Sequence, residues 1–132
     1  MEIATIILAA GQGTRLNSAI PKPLHHIGGR PMLAWSLDAA KAAGASRAVT
    51  VLPKESDSII EWLDGQETCI QDSPKGTGHA VKAAKEQLAD FYGVVLIMFA
   101  DTPLVTGKTL AALAAAVTDG SDIAVLGFEA ND

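Results

Sequence analysis

Ile3-Ala4-Thr5-Ile6-Ile7-Leu8-Ala9-Ala10-Gly11-Gln12-Gly13-Thr14-Arg15 is the stretch on which the fold turns. Ile3 to Leu8 is apolar at odd and even positions alike, the pattern of a central parallel strand covered by helices on both faces. The run empties into a glycine loop. A loop leaving such a strand emerges at the carboxyl end of the sheet, where α/β proteins bind ligands. Small residues there let the main chain approach a ligand closely, and successive N–H groups can receive phosphate oxygens; a purely structural glycine turn is the alternative. The pattern is not a dinucleotide fingerprint, because Leu16 stands at the third glycine position. Nor is it a Walker loop, because Leu16 and Asn17 occupy the places of the required Gly-Lys pair.

Outward from the loop, strands and helices alternate. Gly29-Arg30-Pro31 opens a helix, with Pro31 in its first turn; Leu33, Leu37 and Ala40 keep helical spacing and Gly44 stops it. Further strands are predicted over Arg47 to Leu52, Glu67 to Gln71, Val94 to Phe99, read as another buried strand, and Ser121 to Phe128. Helices are predicted over Glu55 to Leu63, Gly76 to Leu88 and Thr106 to Val117, the last broken by Asp119-Gly120. This order implies an α/β fold with a doubly wound, mostly parallel sheet.

Composition narrows the function classes. The 132 residues suit one domain, and 48% hydrophobic against 19% charged residues is a globular profile. A net charge of −5 argues against a nucleic-acid or anionic-membrane footprint, both of which need clustered Lys and Arg. Apolar runs such as Ile3 to Ala10 are far short of the roughly 20 residues of a membrane span. Cys69 is the only cysteine, which excludes an intramolecular disulfide and a thiolate metal cluster and suits a reducing cytoplasm.

Several side chains could carry chemistry. Arg15 has a forked donor array suited to phosphates, and Lys22 sets an ammonium between Pro21 and Pro23, whose rings restrict the backbone. Gln71 could read a base edge with one donor and one acceptor, and the glycines of Gly76-Thr77-Gly78 would let a helix start approach it. Thr77 could equally be an ordinary helix cap. His79 has no second histidine or cysteine at helical spacing and is read as a packing residue. Asp101 directly follows a strand, where a carboxylate can coordinate Mg²⁺ or satisfy turn N–H groups.

Residues 8–32, LAAGQGTRLNSAIPKPLHHIGGRPM, resemble the opening of the bacterial bifunctional N-acetylglucosamine-1-phosphate uridylyltransferase family. KGTGHAV at 75–81 and FADTPL at 99–104 resemble its second and third landmarks, in order and at similar separation. The resemblance implies a nucleotidyltransferase domain of Rossmann-like type, a cytoplasmic enzyme of cell-wall precursor synthesis and Mg²⁺ as cofactor. UTP and N-acetylglucosamine 1-phosphate would be its substrates. It places Leu8, Ala10 and Gly11 near the nucleoside, Gly13, Thr14 and Arg15 along the phosphates, and Lys22 at the reacting phosphate. Gln71, Gly76 and Thr77 fall around uracil, and Asp101 becomes a metal ligand. Arg15 and Lys22 are the catalytic candidates.

The sequence departs from that family where Ala100 replaces a frequent glycine, where Phe99 replaces a common tyrosine, and in the spacer Asp72-Ser73-Pro74-Lys75. Family members continue with sugar-binding strands, a further metal ligand and often an acetyltransferase β-helix. Residues 1–132 are therefore expected to be the amino-terminal portion of a nucleotidyltransferase domain, with a truncated sheet and half of the site; a homo-oligomer is an open option for the full-length protein. A related sugar-1-phosphate nucleotidyltransferase, or a nucleotide-binding fragment without turnover, are the competing readings.

Overall fold

The structure is a computed structural model and describes residues 1–11 and 18–131. Its main sheet has four parallel strands, β1 (Ile3–Leu8), β4 (Arg47–Pro53), β5 (Thr68–Gln71) and β6 (Val94–Phe99), in the order β5-β4-β1-β6. β1 sits inside, as its all-apolar pattern requires, with Ala4 and Ile7 fully buried. The helices are α1 (Met32–Ala42), α2 (Asp57–Leu63), α3 (Thr77–Ala83) and α4 (Gly107–Thr118). Helices cover both faces. Ile7, Leu52, Leu96 and Met98 pack with Leu33 of α1, Ile59 and Leu63 of α2 and Leu110 of α4 on one side. Ile6, Leu8, Val49, Val51 and Cys69 pack with Ala80 and Ala84 on the other.

Local chemistry sets the helix ends. α1 stops in a Schellman motif: Gly44 takes φ +90°, its N–H reaches Lys41 O, and Ala45 N reaches Ala40 O. α4 ends the same way, with Gly120 at φ +119° and Ser121 N on Ala116 O. At its start the Thr106 hydroxyl accepts from Thr109 N. Pro31 is the N-cap of α1 and not its first residue.

A two-stranded hairpin precedes α1. Antiparallel β2 (His26–Ile27) and β3 (Arg30–Pro31) are joined by Gly28 and Gly29, both at positive φ, as a two-residue turn matched to strand twist requires. Trp35 pins it from α1: the indole N–H donates to Ile27 O at 2.8 Å, and the Arg30 guanidinium lies 4.9 Å over the ring.

Three expectations need correction. Ser121 to Phe128 is not a strand; it pairs with nothing among the described residues and leaves Ile123, Val125 and Phe128 exposed. Strand-like alternation supplies the side chains but not a backbone partner. Val94 to Phe99 is a strand but an edge one, buried only on its Val94, Leu96 and Met98 face. Val95, Ile97 and Phe99 are open because α3 alone covers that side and packs over β1, β4 and β5. The predicted helix Gly76 to Leu88 is helical only to Ala83. Beyond it the backbone tightens into i to i−3 bonds, such as Lys85 N to Lys82 O, and continues as turns.

Candidate functional site

All four parallel strands deliver their carboxyl ends to one rim, and the sequence-predicted residues of the described regions gather there. β1 leads into Ala9, Ala10 and Gly11; its last carbonyl, Leu8 O, accepts from Ala100 N at 3.0 Å, which ties the end of β6 to the loop. β5 ends on Gln71, and β6 leads to Asp101. The order of strand addition reverses at β1, because β4 and β5 lie to one side and β6 to the other. That is the place where open α/β sheets form ligand crevices.

Three adjoining concavities share Gly11. One runs between Lys22, Met32, Ala100 and Asp101; one between Lys22, Lys54, Glu55 and Gln71; one between Leu8, Gln71, Gly76, Thr77 and Phe99. Leu8, Ala10, Gly11, Lys22, Gln71, Gly76, Thr77 and Asp101 therefore all line a common cleft. Gly13, Thr14 and Arg15 lie outside the described residues. A side chain at Gly11 would meet nothing among the described residues, so the glycine leaves room on that side of the cleft. Gly76 differs: its φ of +100° is a conformation that side chains disfavour.

Lys22 opens a short 3₁₀ turn, Lys22–Leu24, in which Pro23 is buried. The turn is held from three sides. Leu24 N donates to Pro21 O, His25 N to Lys22 O, and Met32 N to His25 O. The His25 ring adds a bond to Ile20 O at 2.9 Å through Nε2, which must carry the proton because a carbonyl only accepts. So placed, Lys22 Nζ donates to Asp101 Oδ2 at 3.0 Å, with both side chains partly open to solvent.

Gln71 is buried and its amide is committed. Nε2 lies 3.3 Å from Gly76 O and 2.9 Å from His79 Nδ1, so both amide hydrogens are used inside the protein. The expectation of one donor and one acceptor facing a ligand narrows to the acceptor, Oε1, which finds no partner among the described residues. Thr77 is not the cap of α3, since the N-cap is Gly76 and no side chain caps it.

Sequence reasoning passed over two residues. Lys54, beyond β4, adds a second described cation to the cleft beside Glu55, whose φ of +60° is rare for a non-glycine residue. The position at a strand's carboxyl end was its signal. His79, read as packing, is hydrogen-bonded to Gln71; its spacing of eight residues across a turn gave no periodic cue.

Set beside known proteins, residues 5–132 match the MobA-like NTP transferase domain. The chain belongs to that family. It is a nucleotidyltransferase domain related to the bifunctional protein GlmU: it is 48% identical to that of Maricaulis maris over 131 residues, 98% of this chain. Those residues span only 29% of that relative's length. The fold of the domain recurs in UDP-glucose pyrophosphorylase from Acinetobacter baumanii, with a TM-score of 0.77 and 19% identity, covering 91% of this chain and 54% of that one. It recurs in Rv0371C from Mycobacterium tuberculosis, solved in complex with manganese, with a TM-score of 0.67 and 22% identity over 90% of this chain and 61% of the other. No helix among the described residues of this NTP transferase domain is long and apolar enough to cross a membrane.

Proposed function

We propose that this chain forms the UTP side of a uridylyltransferase site. In the complete protein the uridylyl group of UTP passes to N-acetylglucosamine 1-phosphate, giving UDP-N-acetylglucosamine and pyrophosphate. The observation that carries the reading is the meeting of Lys22, Asp101 and Gln71 around Gly11 at one sheet rim. Similarity to GlmU over nearly the whole chain supports this transferase over others of the family. Residues 1–132 are, in this reading, the amino-terminal portion of the nucleotidyltransferase domain of a cytoplasmic enzyme of peptidoglycan precursor synthesis.

The attacking oxygen of the sugar phosphate is already anionic, so the reaction needs no strong base; it needs placement and charge neutralisation. Lys22, fixed at the backbone and mobile at its ammonium, is assigned to the α-phosphate. Arg15, Gly13 and Thr14 are assigned to the remaining phosphates. Leu8, Ala10 and Gly11 make a low, side-chain-poor floor for the nucleoside, and Gly76 and Thr77 border the base end beside Gln71.

Asp101 is assigned to Mg²⁺. No group of three or more His, Cys, Asp or Glu side chains among the described residues could hold a metal. A lone, half-exposed carboxylate fits a Mg²⁺ shared with phosphate oxygens and water, and does not fit an all-protein cage. Bound there, the ion would supply Lewis-acid neutralisation of the phosphates.

The test is a product assay on the complete protein with UTP, Mg²⁺ and a panel of sugar 1-phosphates. UDP-N-acetylglucosamine and pyrophosphate are expected. Preference for another sugar phosphate would move the protein to a sister activity, and UTP binding without any product would make it a binder.

A further inference from the structure

The amide of Gln71 has only one orientation open to it, and His79 helps impose it. The Gly76 carbonyl can only accept, so the atom 3.3 Å from it is the amide nitrogen. The second hydrogen of that NH₂ points at His79 Nδ1 across 2.9 Å. Nδ1 must then hold its lone pair, and His79 is the tautomer protonated at Nε2. With both hydrogens engaged, Oε1 is all that Gln71 can offer a ligand.

We propose that His79 is a specificity-positioning residue: by accepting from Gln71 it locks the amide with its oxygen available, so that the cleft selects a base with a ring N–H over one with a ring lone pair. This rests on the reading that the cleft binds a pyrimidine nucleotide, and adds to it how the choice is made. Uracil carries N3–H, which Oε1 can accept. Cytosine presents a lone pair at N3, and facing it with Oε1 leaves two acceptors opposed in a buried place. Without His79 the amide is held only by the longer 3.3 Å contact to the Gly76 carbonyl, and could turn its NH₂ outward to pair with cytosine. His79 thus contributes by removing that alternative, without touching the nucleotide. The residue sits on the first turns of α3, whose Ala80 packs into the core, so the ring is carried on a fixed backbone.

Calorimetry of the complete protein with UTP and with CTP, in Mg²⁺, tests the assignment. The wild type is expected to bind UTP about 10-fold or more tighter than CTP, the worth of one well-placed hydrogen bond. His79→Phe keeps a flat ring without the acceptor and should bring the two affinities within about 3-fold of each other, chiefly by improving CTP. His79→Asn places its carbonyl oxygen near the position of Nδ1 and should restore most of the preference. A purely structural histidine would instead weaken both nucleotides alike in both variants, and that result, or an unchanged ratio in His79→Phe, overturns the proposal. Equal wild-type affinity for UTP and CTP overturns it too. Absence of any nucleotide binding by the wild type overturns the underlying reading of the cleft and the proposal with it, a failure distinct from an unchanged ratio.

Discussion

Lys22 Nζ donates to Asp101 Oδ2 at 3.0 Å, a contact between residues 79 positions apart that closes the cleft between the 3₁₀ turn and the end of β6. Both side chains are about a third to a half exposed, so the pair is worth at most about 1 kcal/mol to stability, and salt lowers even that. Its significance is placement. Lys22→Ala in the complete protein should lower kcat by about 10²-fold or more at saturating substrates while leaving the unfolding midpoint nearly unchanged. Unchanged kcat would remove Lys22 from the chemistry. Asp101→Asn should weaken Mg²⁺-dependent turnover of UTP and raise the Mg²⁺ concentration it needs, read by titrating the ion; normal activity with a normal Mg²⁺ dependence would remove Asp101 from the metal site.

Gly107 begins α4 where that helix crosses α1. An added Cβ would stand 2.5 Å from Ala42 Cβ and 3.0 Å from Ala39 O. Helix propensity alone favours Gly107→Ala by up to about 1 kcal/mol. The backbone carbonyl cannot step aside, so overpacking wins and a net loss of about 1–3 kcal/mol is expected in chemical denaturation. A stabilised variant would show that the two helices can part at no cost.

Cys69 is buried against α3, and burial pushes its thiol up to about 11 from 9.0. The thiolate is therefore scarce in the native protein, and a thiol reagent at pH 8 should modify Cys69 only after denaturant is added. Because the folded pKa is raised, the folded state binds the proton more tightly than the unfolded chain. Stability should fall as pH rises above about 9, and Cys69→Ala should flatten that decline.

Arg47 clamps the amino-terminal edge of the sheet. It holds both carboxylate oxygens of Glu67, at 3.0 and 2.8 Å, together with Asp90 and the Gln87 carbonyl. The hydrogen bonds from Arg47 lower the Glu67 pKa against its partial burial. A lowered folded pKa means the contribution is present above the ordinary carboxylate range and lost as pH falls through the folded value. Glu67→Gln should therefore destabilise at neutral pH, and the gap to wild type should narrow in acid. A gap that does not change with pH would assign the effect to packing.

β6 leaves Val95, Ile97 and Phe99 open on an edge strand whose outer side has no strand partner among the described residues, a template for edge pairing and aggregation. Ile97→Lys should reduce concentration-dependent sedimentation without lowering the melting temperature by more than a degree or two. Unaltered sedimentation would clear this face of self-association.

Much of the fold was legible in residue order. The double-sided apolar run of β1, the glycine after it and the helix stops at Gly44 and Gly120 each express a local requirement that the structure meets. Legibility failed where partners decide. Val94 to Phe99 and Ser121 to Phe128 have the same strand-like composition, yet one pairs with β1 and the other pairs with nothing described. Within the site, Lys22 was marked by its flanking prolines near the glycine loop, Gln71 by its amide before a glycine-rich helix start and Asp101 by its strand end, but nothing in residue order said which of their atoms would be free.

By itself the sequence determined which segments could be strands and helices and that their loops would share one rim, because periodicity, turn chemistry and parallel crossovers are properties of neighbouring residues. Only the tertiary structure decided that Lys22 meets Asp101, that Gln71 spends its two donors on Gly76 and His79, and that one face of β6 stays bare. Those outcomes depend on distances between residues far apart in the chain, and hydrogen-bond direction and coverage exist only once the backbones that carry them have been brought together.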